Sequence, residues 1–170
     1  MTLAELNALD ADAYLALLGK VYEHSPWVAA RAWLDRPFAS VDALHAAMMR
    51  AVHDAPRAAR LALIRAHPEL AGREAKAGAL TRDSSGEQGR LGFTALNRTE
   101  MEKMAALNRA YREKFGFPCI VALRLHATRA EVIAQIEHRL DSALEAEVTT
   151  ALEQIGHITQ GRLEGLIAED

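Results

Sequence analysis

Apolar and polar positions along this chain recur with a helical period, and no stretch alternates for long with the period of two that a strand requires. The clearest case lies between residues 41 and 52. Its apolar positions are Val41, Leu44, Met48, Met49 and Val52. Spacings of three and four residues place such side chains on one face of a helix. The pattern therefore predicts an all-α protein.

Capping residues, prolines and glycines divide this pattern into separate helices. Ser25 followed by Pro26 and Ser40 followed by Val41 are typical helix starts, and Gly116 is a typical helix end. The predicted helices are 12–22, Pro26 to before Pro37, one from Val41, Pro56 to Ala66, 85–97, one from after Thr99 to Gly116, 129–140 and 143–168. We predict one domain, residues 1–170, folded as a compact bundle of about seven to nine helices.

The helical pattern lapses in two places. Residues 67–86 contain Pro68, Gly72, Gly78 and Gly86 but few large apolar residues. Irregular segments longer than about 12–15 residues are uncommon in compact domains and tend to be functional or disordered. A second break, residues 119–124, is an apolar run that we expect to be extended, with backbone donors and acceptors available to a ligand. We expect both segments to contribute to a functional site.

Composition narrows the function classes. The net charge is −3 and the sequence contains no block of like charges, so nucleic acid is not an expected partner. The N-terminus lacks the basic start and continuous apolar run of a signal peptide, and no stretch is apolar enough to cross a bilayer. A single cysteine, Cys119, excludes an internal disulfide. We expect a cytoplasmic protein without a membrane partner.

His67 lies at the end of a predicted helix, directly before Pro68. A proline disfavours the helical conformation at the preceding residue, which fixes the direction of the His67 side chain. A neutral imidazole there can donate or accept a proton near neutral pH. Alternatively, the histidine caps the last helical turn, where positive charge suits the helix dipole. The sequence leaves both interpretations open.

The segment from Ser84 to Gln88 offers a second set of polar groups. Ser84, Ser85 and Gly86 are predicted at a helix start, where backbone N–H groups can hold a carbonyl or anionic oxygen. Glu87 brings a carboxylate, although its spacing from Ser84 also fits a capping box. Gln88 carries a donor and an acceptor in one flat group that matches the edge of a cyclic amide or urea.

A metal site and a cysteine nucleophile are both less well supported. Glu69 could join His67 and Glu87 as a ligand, but nothing fixes their spacing as in a His-Glu-x-x-His helix. We therefore expect no metal. Cys119 has no basic neighbour in sequence, so we expect it to be a small buried apolar residue.

Four separated motifs carry a resemblance to a known family. They are His67-Pro68-Glu69-Leu70, Ser84-x-x-Glu87-Gln88, the run from Leu107-Asn108-x-x-Tyr111 to Lys114-Phe115-Gly116-Phe117-Pro118, and Glu153-x-Ile155-x-x-Ile158-x-x-x-Arg162-Leu163-x-x-Leu166. In this order and spacing the chain resembles the 2-oxo-4-hydroxy-4-carboxy-5-ureidoimidazoline (OHCU) decarboxylases. The resemblance extends over nearly the whole chain.

The resemblance implies an all-helical homodimer that uses neither a metal nor an organic cofactor and converts OHCU to (S)-allantoin with release of carbon dioxide. It implies His67 as a proton donor, and we expect Glu87 to act with it as the second catalytic residue. Further implied substrate contacts are Pro68, Ser84, Ser85, Gly86, Gln88, Cys119, Ile120, Val121, Ala122 and Leu123. Two alternatives stay open, namely a hydrolase of a related cyclic ureide and a noncatalytic helical interaction module.

Overall fold

A computed structural model of the chain describes residues 1–72, 75 and 77–168. Within these residues the regular structure consists of nine α-helices, two 3₁₀ turns and one isolated β-bridge, which confirms the all-α prediction. The chain forms two compact units. Unit 1 comprises Met1–Ala66 and the chain from Gly156 onward, and unit 2 comprises His67–Ile155. The single-domain organisation stays a prediction.

Unit 1 contains the first five helices. They are α1 (Leu3–Ala8), α2 (Ala11–Leu18), α3 (Trp27–Ala32), α4 (Val41–Asp54) and α5 (Arg57–Ala66), with a 3₁₀ turn at Trp33–Asp35. The helices predicted from Val41 and up to Ala66 are confirmed. The prediction missed α1, a six-residue helix that begins at a capping box between Thr2 and Glu5. It also made α2 too long, since that helix ends at Leu18.

Polar contacts inside unit 1 fix its chain ends and a buried turn. The backbone N–H of Leu3 donates to Ala168, and the N–H of Ala168 donates to Met1, at 3.1 and 2.9 Å. Arg162 and Glu23 form a buried ion pair at 3.0 Å. These contacts hold the N- and C-terminal segments of the unit together.

Unit 2 contains α6 (Arg82–Arg90), α7 (Arg98–Phe115), α8 (Arg129–Arg139) and the first half of α9 (Leu144–Leu166), with a 3₁₀ turn at Leu123–Leu125. The start of α7 is a capping box between Asn97 and Glu100, not Thr99 with Glu102 as the spacing suggested. Its end at Gly116 is confirmed. That glycine has a φ of 77°, a left-handed conformation that few other residues adopt readily.

An aromatic cluster forms part of the core of unit 2. Tyr111 and Phe115 of α7 have ring centroids 4.6 Å apart, and Phe117 stacks on Phe115 at 6.0 Å. All three residues are buried, as are Val132 and Ile136 of α8. This core lies at the point where α7 leads into the apolar run after Pro118.

Both predicted irregular segments are shorter than expected. Because α6 begins at Arg82, the predicted break at 67–86 ends at residue 81, and its residues 73, 74 and 76 lie outside the described part of the chain. The run predicted as extended over 119–124 gives way to a 3₁₀ turn at Leu123. In the described part of the chain no helix has both the length and the apolarity needed to cross a membrane.

Candidate functional site

The six residues after α5, His67 to Gly72, form a compact turn that we call the His67 loop. Since Pro68 disfavours a helical conformation at the residue before it, α5 ends at Ala66 and His67 leaves the helix. Only 6% of the His67 surface is exposed, and its Nε2 atom is buried. The imidazole is therefore shielded from bulk water.

Position 72 requires a glycine because the backbone there passes close to Glu69 within the His67 loop. The N–H of Gly72 donates to the carbonyl of Glu69 at 3.0 Å. A Cβ atom at position 72 would lie 2.6 Å from the Cβ of Glu69, which is too close for any side chain. Ala71 has a φ of +50°, a left-handed conformation that costs an L-residue roughly 1–2 kcal/mol. The loop thus has a specific and strained backbone.

Two buried amide side chains hold the His67 loop in unit 2. Nδ2 of Asn108, on α7, donates to the carbonyl of Leu70 at 2.8 Å. Oε1 of Gln88, on α6, accepts a hydrogen bond from the N–H of Ala71 at 3.0 Å. Because buried backbone groups without partners are costly, these two amides stabilise this loop conformation over its alternatives.

The carboxylate of Glu69 faces a cation. Arg112 donates to its Oε1 at 2.8 Å, and both residues line a cleft of about 570 Å³ beside the His67 loop. Within the described residues, no cluster of three or more His, Cys, Asp or Glu side chains could hold a metal ion. Glu69 therefore forms an ion pair and does not group with His67 and Glu87 as a ligand set.

The start of α6 differs from the prediction. Thr81 is the N-cap, and its hydroxyl oxygen accepts a hydrogen bond from the N–H of Ser84 at 3.3 Å. The N–H of Ser85 donates to the carbonyl of Thr81 at 2.9 Å. A capping box of Ser84 with Glu87 is thus wrong, and the N–H groups of Ser84 and Ser85 already have partners. Thr81 can cap as well as Ser84 can, and local sequence does not distinguish them.

One face of α6 groups three of the predicted site residues. Ser84 and Gln88 are buried and Glu87 is half-buried, and positions three and four apart lie on the same side of a helix. Ser85 and Gly86 are exposed. Direct contact of Ser85 and Gly86 with a substrate stays a prediction.

The segment Cys119–Leu123 is buried along its whole length. Nη1 of Arg139, on α8, donates to the carbonyl of Ile120 at 2.6 Å. Oε1 of Gln154, on α9, accepts a hydrogen bond from the N–H of Ala122 at 2.9 Å. These backbone groups are in use, so the expectation that the segment has all its donors and acceptors available is wrong.

Other N–H groups of this segment have no partner in the described part of the chain. The N–H groups of Ile120 and Val121 make no hydrogen bond to another residue that the structure describes. The Val121 N–H lies between the fixed carbonyl of Ile120 and the fixed N–H of Ala122. A ligand could therefore find a preorganised donor at Val121, with the Ile120 N–H next to it.

Hydrogen bonds from α6 join the three predicted site segments. Gln88 contacts the His67 loop at Ala71, and Arg90, two positions further on, donates to the carbonyls of Leu123 and His126. All three segments thus belong to unit 2 and meet around one short helix. That His67 and Glu87 face each other across a shared cavity stays a prediction.

Cys119 is not a nucleophile in this environment. Burial raises the pKa of its thiol to about 12, and the positive charge of Arg139 only partly offsets this effect. The reactive thiolate is therefore negligible near neutral pH. The residue packs as a small apolar side chain, as the sequence predicted.

The residues that hold these segments escaped the sequence reasoning. In the sequence, Asn108 stands out only as part of the motif Leu107-Asn108-x-x-Tyr111, and no pattern points to Arg90 or Arg139. One available signal was a polar residue at an apolar helical position. Arg139 follows Val132 and Ile136 at helical spacing, yet an arginine is rarely buried without a specific partner.

The fold and the site together define a class of protein, namely an all-α protein that carries an imidazole, a carboxylate and a carboxamide on joined segments of one unit. The chain belongs to the OHCU decarboxylase family, whose model matches residues 7–164. That match covers almost the whole chain and includes every predicted site residue. The resemblance stated from the four motifs is therefore confirmed.

Individual relatives agree with this assignment. The chain is 42% identical over 163 residues to a 2-oxo-4-hydroxy-4-carboxy-5-ureidoimidazoline decarboxylase of Haloferax volcanii, covering 96% of this chain and 94% of the relative. A crystal structure of (S)-allantoin synthase matches with a TM-score of 0.78 and 30% identity, covering 98% of this chain and 54% of that one. A crystal structure of OHCU decarboxylase in the presence of (S)-allantoin matches in fold, with a TM-score of 0.68 and 20% identity over 86% of this chain and 94% of that one.

Proposed function

We propose that this protein removes carbon dioxide from OHCU and yields (S)-allantoin in the breakdown of urate. The observation that carries the proposal is the family match over residues 7–164, together with 42% identity to a relative named for this activity. The geometry supports it, since the His67 loop, α6 and the Cys119–Leu123 segment are joined within unit 2. The reaction makes the protein a carboxy-lyase.

The substrate supplies its own electron sink. When carbon dioxide leaves C4, the bonding electron pair moves into a new C4–C5 double bond, and the adjacent ring C=N nitrogen takes up a proton. The C4 hydroxyl then loses its proton and becomes a carbonyl, while C5 gains a proton and becomes the stereocentre of allantoin. Overall, one proton replaces one molecule of carbon dioxide.

Two side chains of this protein are suited to the proton transfers. We assign to Glu87 the removal or orientation of the hydroxyl proton, because a carboxylate at a half-buried position can accept it. We assign to His67 the protonation of the intermediate, on the face that gives the S product. A buried imidazole delivers that proton without competition from bulk water.

The remaining polar groups suit a flat ureide. The oxygen of Gln88 is occupied by Ala71, so this side chain would offer a substrate only its amide N–H groups. The N–H groups of Ile120 and Val121 would hold the carbonyl oxygens of the ring and the ureido group. Pro68, Cys119, Ala122 and Leu123 would complete the walls around these donors.

We further propose that the protein acts as a cytoplasmic homodimer without a metal or an organic cofactor. The family resemblance supports the dimer and the cofactor-free chemistry. The single cysteine, which is buried and unlinked, suits a reducing compartment. Sedimentation analysis of the purified protein tests the dimer.

Carbon dioxide capture tests the reaction class. Freshly generated OHCU is incubated with and without the protein, while circular dichroism follows the appearance of (S)-allantoin. We expect enantiopure product with one equivalent of carbon dioxide released per molecule consumed. A hydrolase of the ureide would consume OHCU without gas release, and an interaction module would leave its spontaneous decay unchanged.

A further inference from the structure

A buried ion pair lies directly behind the Cys119–Leu123 segment. Nε of Arg139 donates to Oε1 of Glu147 at 2.8 Å, and the hydroxyl of Tyr111 donates to the same oxygen. Arg139 is 4% exposed and Glu147 is fully buried. Removing two charges from water costs several kcal/mol per ion, so such a pair is weak evidence for stability.

The same guanidinium reaches the backbone of the candidate site. Its Nη1 donates to the carbonyl of Ile120 at 2.6 Å, while Nε is held by Glu147. Glu147 thus anchors one edge of the guanidinium and directs another toward the segment. Because the guanidinium is planar and rigid, this anchoring fixes the position of the Ile120 carbonyl.

The carbonyl of Ile120 and the N–H of Val121 belong to one peptide group. In a trans peptide these groups point in opposite directions, so the Val121 N–H points away from Arg139. A charged donor on the carbonyl draws electron density from the peptide nitrogen and strengthens its N–H as a donor. The next peptide is held by the bond between Ala122 and Gln154, which restricts rotation of this one.

We propose that Arg139 is a positioning residue that orients and polarises the Ile120–Val121 peptide, so that the Val121 N–H binds a carbonyl oxygen of the ureide substrate. The inference rests on the proposed function, since it takes Cys119–Leu123 as a substrate-binding segment. Beyond that function, the inference names the Val121 N–H as the donor and the buried charge of Arg139 as the group that strengthens it. Glu147 and Tyr111 act one step further away, by holding Arg139.

The first test removes both charges at once. In an Arg139→Met/Glu147→Leu variant neither ion is left buried and unpaired, a replacement that is often neutral for stability. We expect KM for OHCU and the dissociation constant for (S)-allantoin to rise about tenfold, as for loss of about 1.4 kcal/mol of binding, with kcat changed much less. The control is Lys103→Gln/Glu137→Gln, which removes an exposed ion pair between α7 and α8.

The second test addresses the donor itself. An ester bond in place of the Val121 amide, introduced as the α-hydroxy analogue of valine, removes the N–H and keeps the side chain. We expect this change to weaken (S)-allantoin binding about tenfold in the otherwise unaltered protein. In the Arg139→Met/Glu147→Leu background we expect less than a threefold further loss, because the donor there is no longer oriented or strengthened.

These measurements separate the two proposals. Wild-type protein that releases no carbon dioxide from OHCU contradicts the proposed function. If the wild type is active but the Arg139→Met/Glu147→Leu variant has the same KM as the control, the proposed role of Arg139 is wrong. It is also wrong if the ester weakens (S)-allantoin binding by the same factor in both backgrounds. If the double variant does not fold, Arg139→Lys replaces it. That lysine keeps the charge but lacks the rigid planar fork that joins Glu147 to Ile120, so KM should again rise.

Discussion

The side-chain oxygen of Gln88 lies 3.0 Å from the backbone nitrogen of Ala71 and accepts its hydrogen bond inside unit 2. Gln88 is next to Glu87 on α6, and Ala71 is in the same turn as His67. One buried bond therefore couples the element that carries the carboxylate to the element that carries the imidazole.

Replacing Gln88 separates this structural role from substrate binding. Gln88→Leu leaves the buried N–H of Ala71 without an acceptor, which should lower the free energy of unfolding by about 1–3 kcal/mol. Gln88→Glu keeps an acceptor oxygen and should recover part of that stability at low pH, where its buried carboxyl is protonated and carries no charge. It lacks the amide N–H groups, however, so KM should stay raised in both variants. Urea titration and steady-state kinetics measure the two effects, and unchanged stability of the leucine variant would contradict the coupling.

Substitution of the two proposed catalytic residues should lower turnover without preventing product binding. For His67→Ala and Glu87→Gln we expect kcat to fall roughly 10²–10⁴-fold each, the usual contribution of a positioned acid or base. Calorimetry with (S)-allantoin should still detect binding. His53→Ala, at an exposed position on α4, serves as the control. Wild-type turnover in both site variants would refute the assigned roles.

The sequence predicted the elements that depend on local signals. α4 follows from apolar spacing and the Ser40 cap, and the end of α7 follows from Gly116, so both appear where expected. Where two local signals compete, the prediction fails. Thr81 and Ser84 can each cap a helix, and only packing of α6 decides in favour of Thr81.

The contacts that build the site could not be predicted in this way. Arg139 and Ile120 are 19 positions apart, and Asn108 and Leu70 are 38 apart. No local spacing rule connects residues at such distances, since their meeting depends on how helices pack. The chemistry-bearing residue types were therefore visible in the sequence, whereas the side chains that hold them were not.

Two glycines of α6 allow a matched test for contact with the substrate. A Cβ at Gly86 meets no other atom within 4 Å, and one at Gly89 meets only Thr94 at 3.8 Å. Replacing glycine by alanine inside a helix should therefore stabilise each variant by about 0.5–1 kcal/mol. If the substrate approaches α6 at Gly86, as the family resemblance implies, KM rises for Gly86→Ala and not for Gly89→Ala. Thermal unfolding and kinetics on both variants distinguish these effects, and equal KM values would remove Gly86 from the site.

His45, on α4 in unit 1, should give the stability of the protein a pH dependence. Burial lowers its pKa below the ordinary value of 6.5, outweighing the Gly156 carbonyl, 3.0 Å from Nε2, and the nearby carboxylates of Asp42 and Glu164, which raise it. His157 adds a smaller lowering effect.

Below pH 6.5 the unfolded chain therefore binds a proton at His45 more readily than the folded protein does. The stabilisation is complete above that pH and is lost as the pH falls toward the folded-state pKa, with a slope of at most about 1.4 kcal/mol per pH unit. His45→Gln keeps a donor for Gly156 but does not titrate, so its unfolding free energy should depend less on pH in this range. Urea unfolding of both proteins between about pH 5 and pH 8 measures the difference. Parallel curves for the two proteins would show that His45 does not titrate differently on folding.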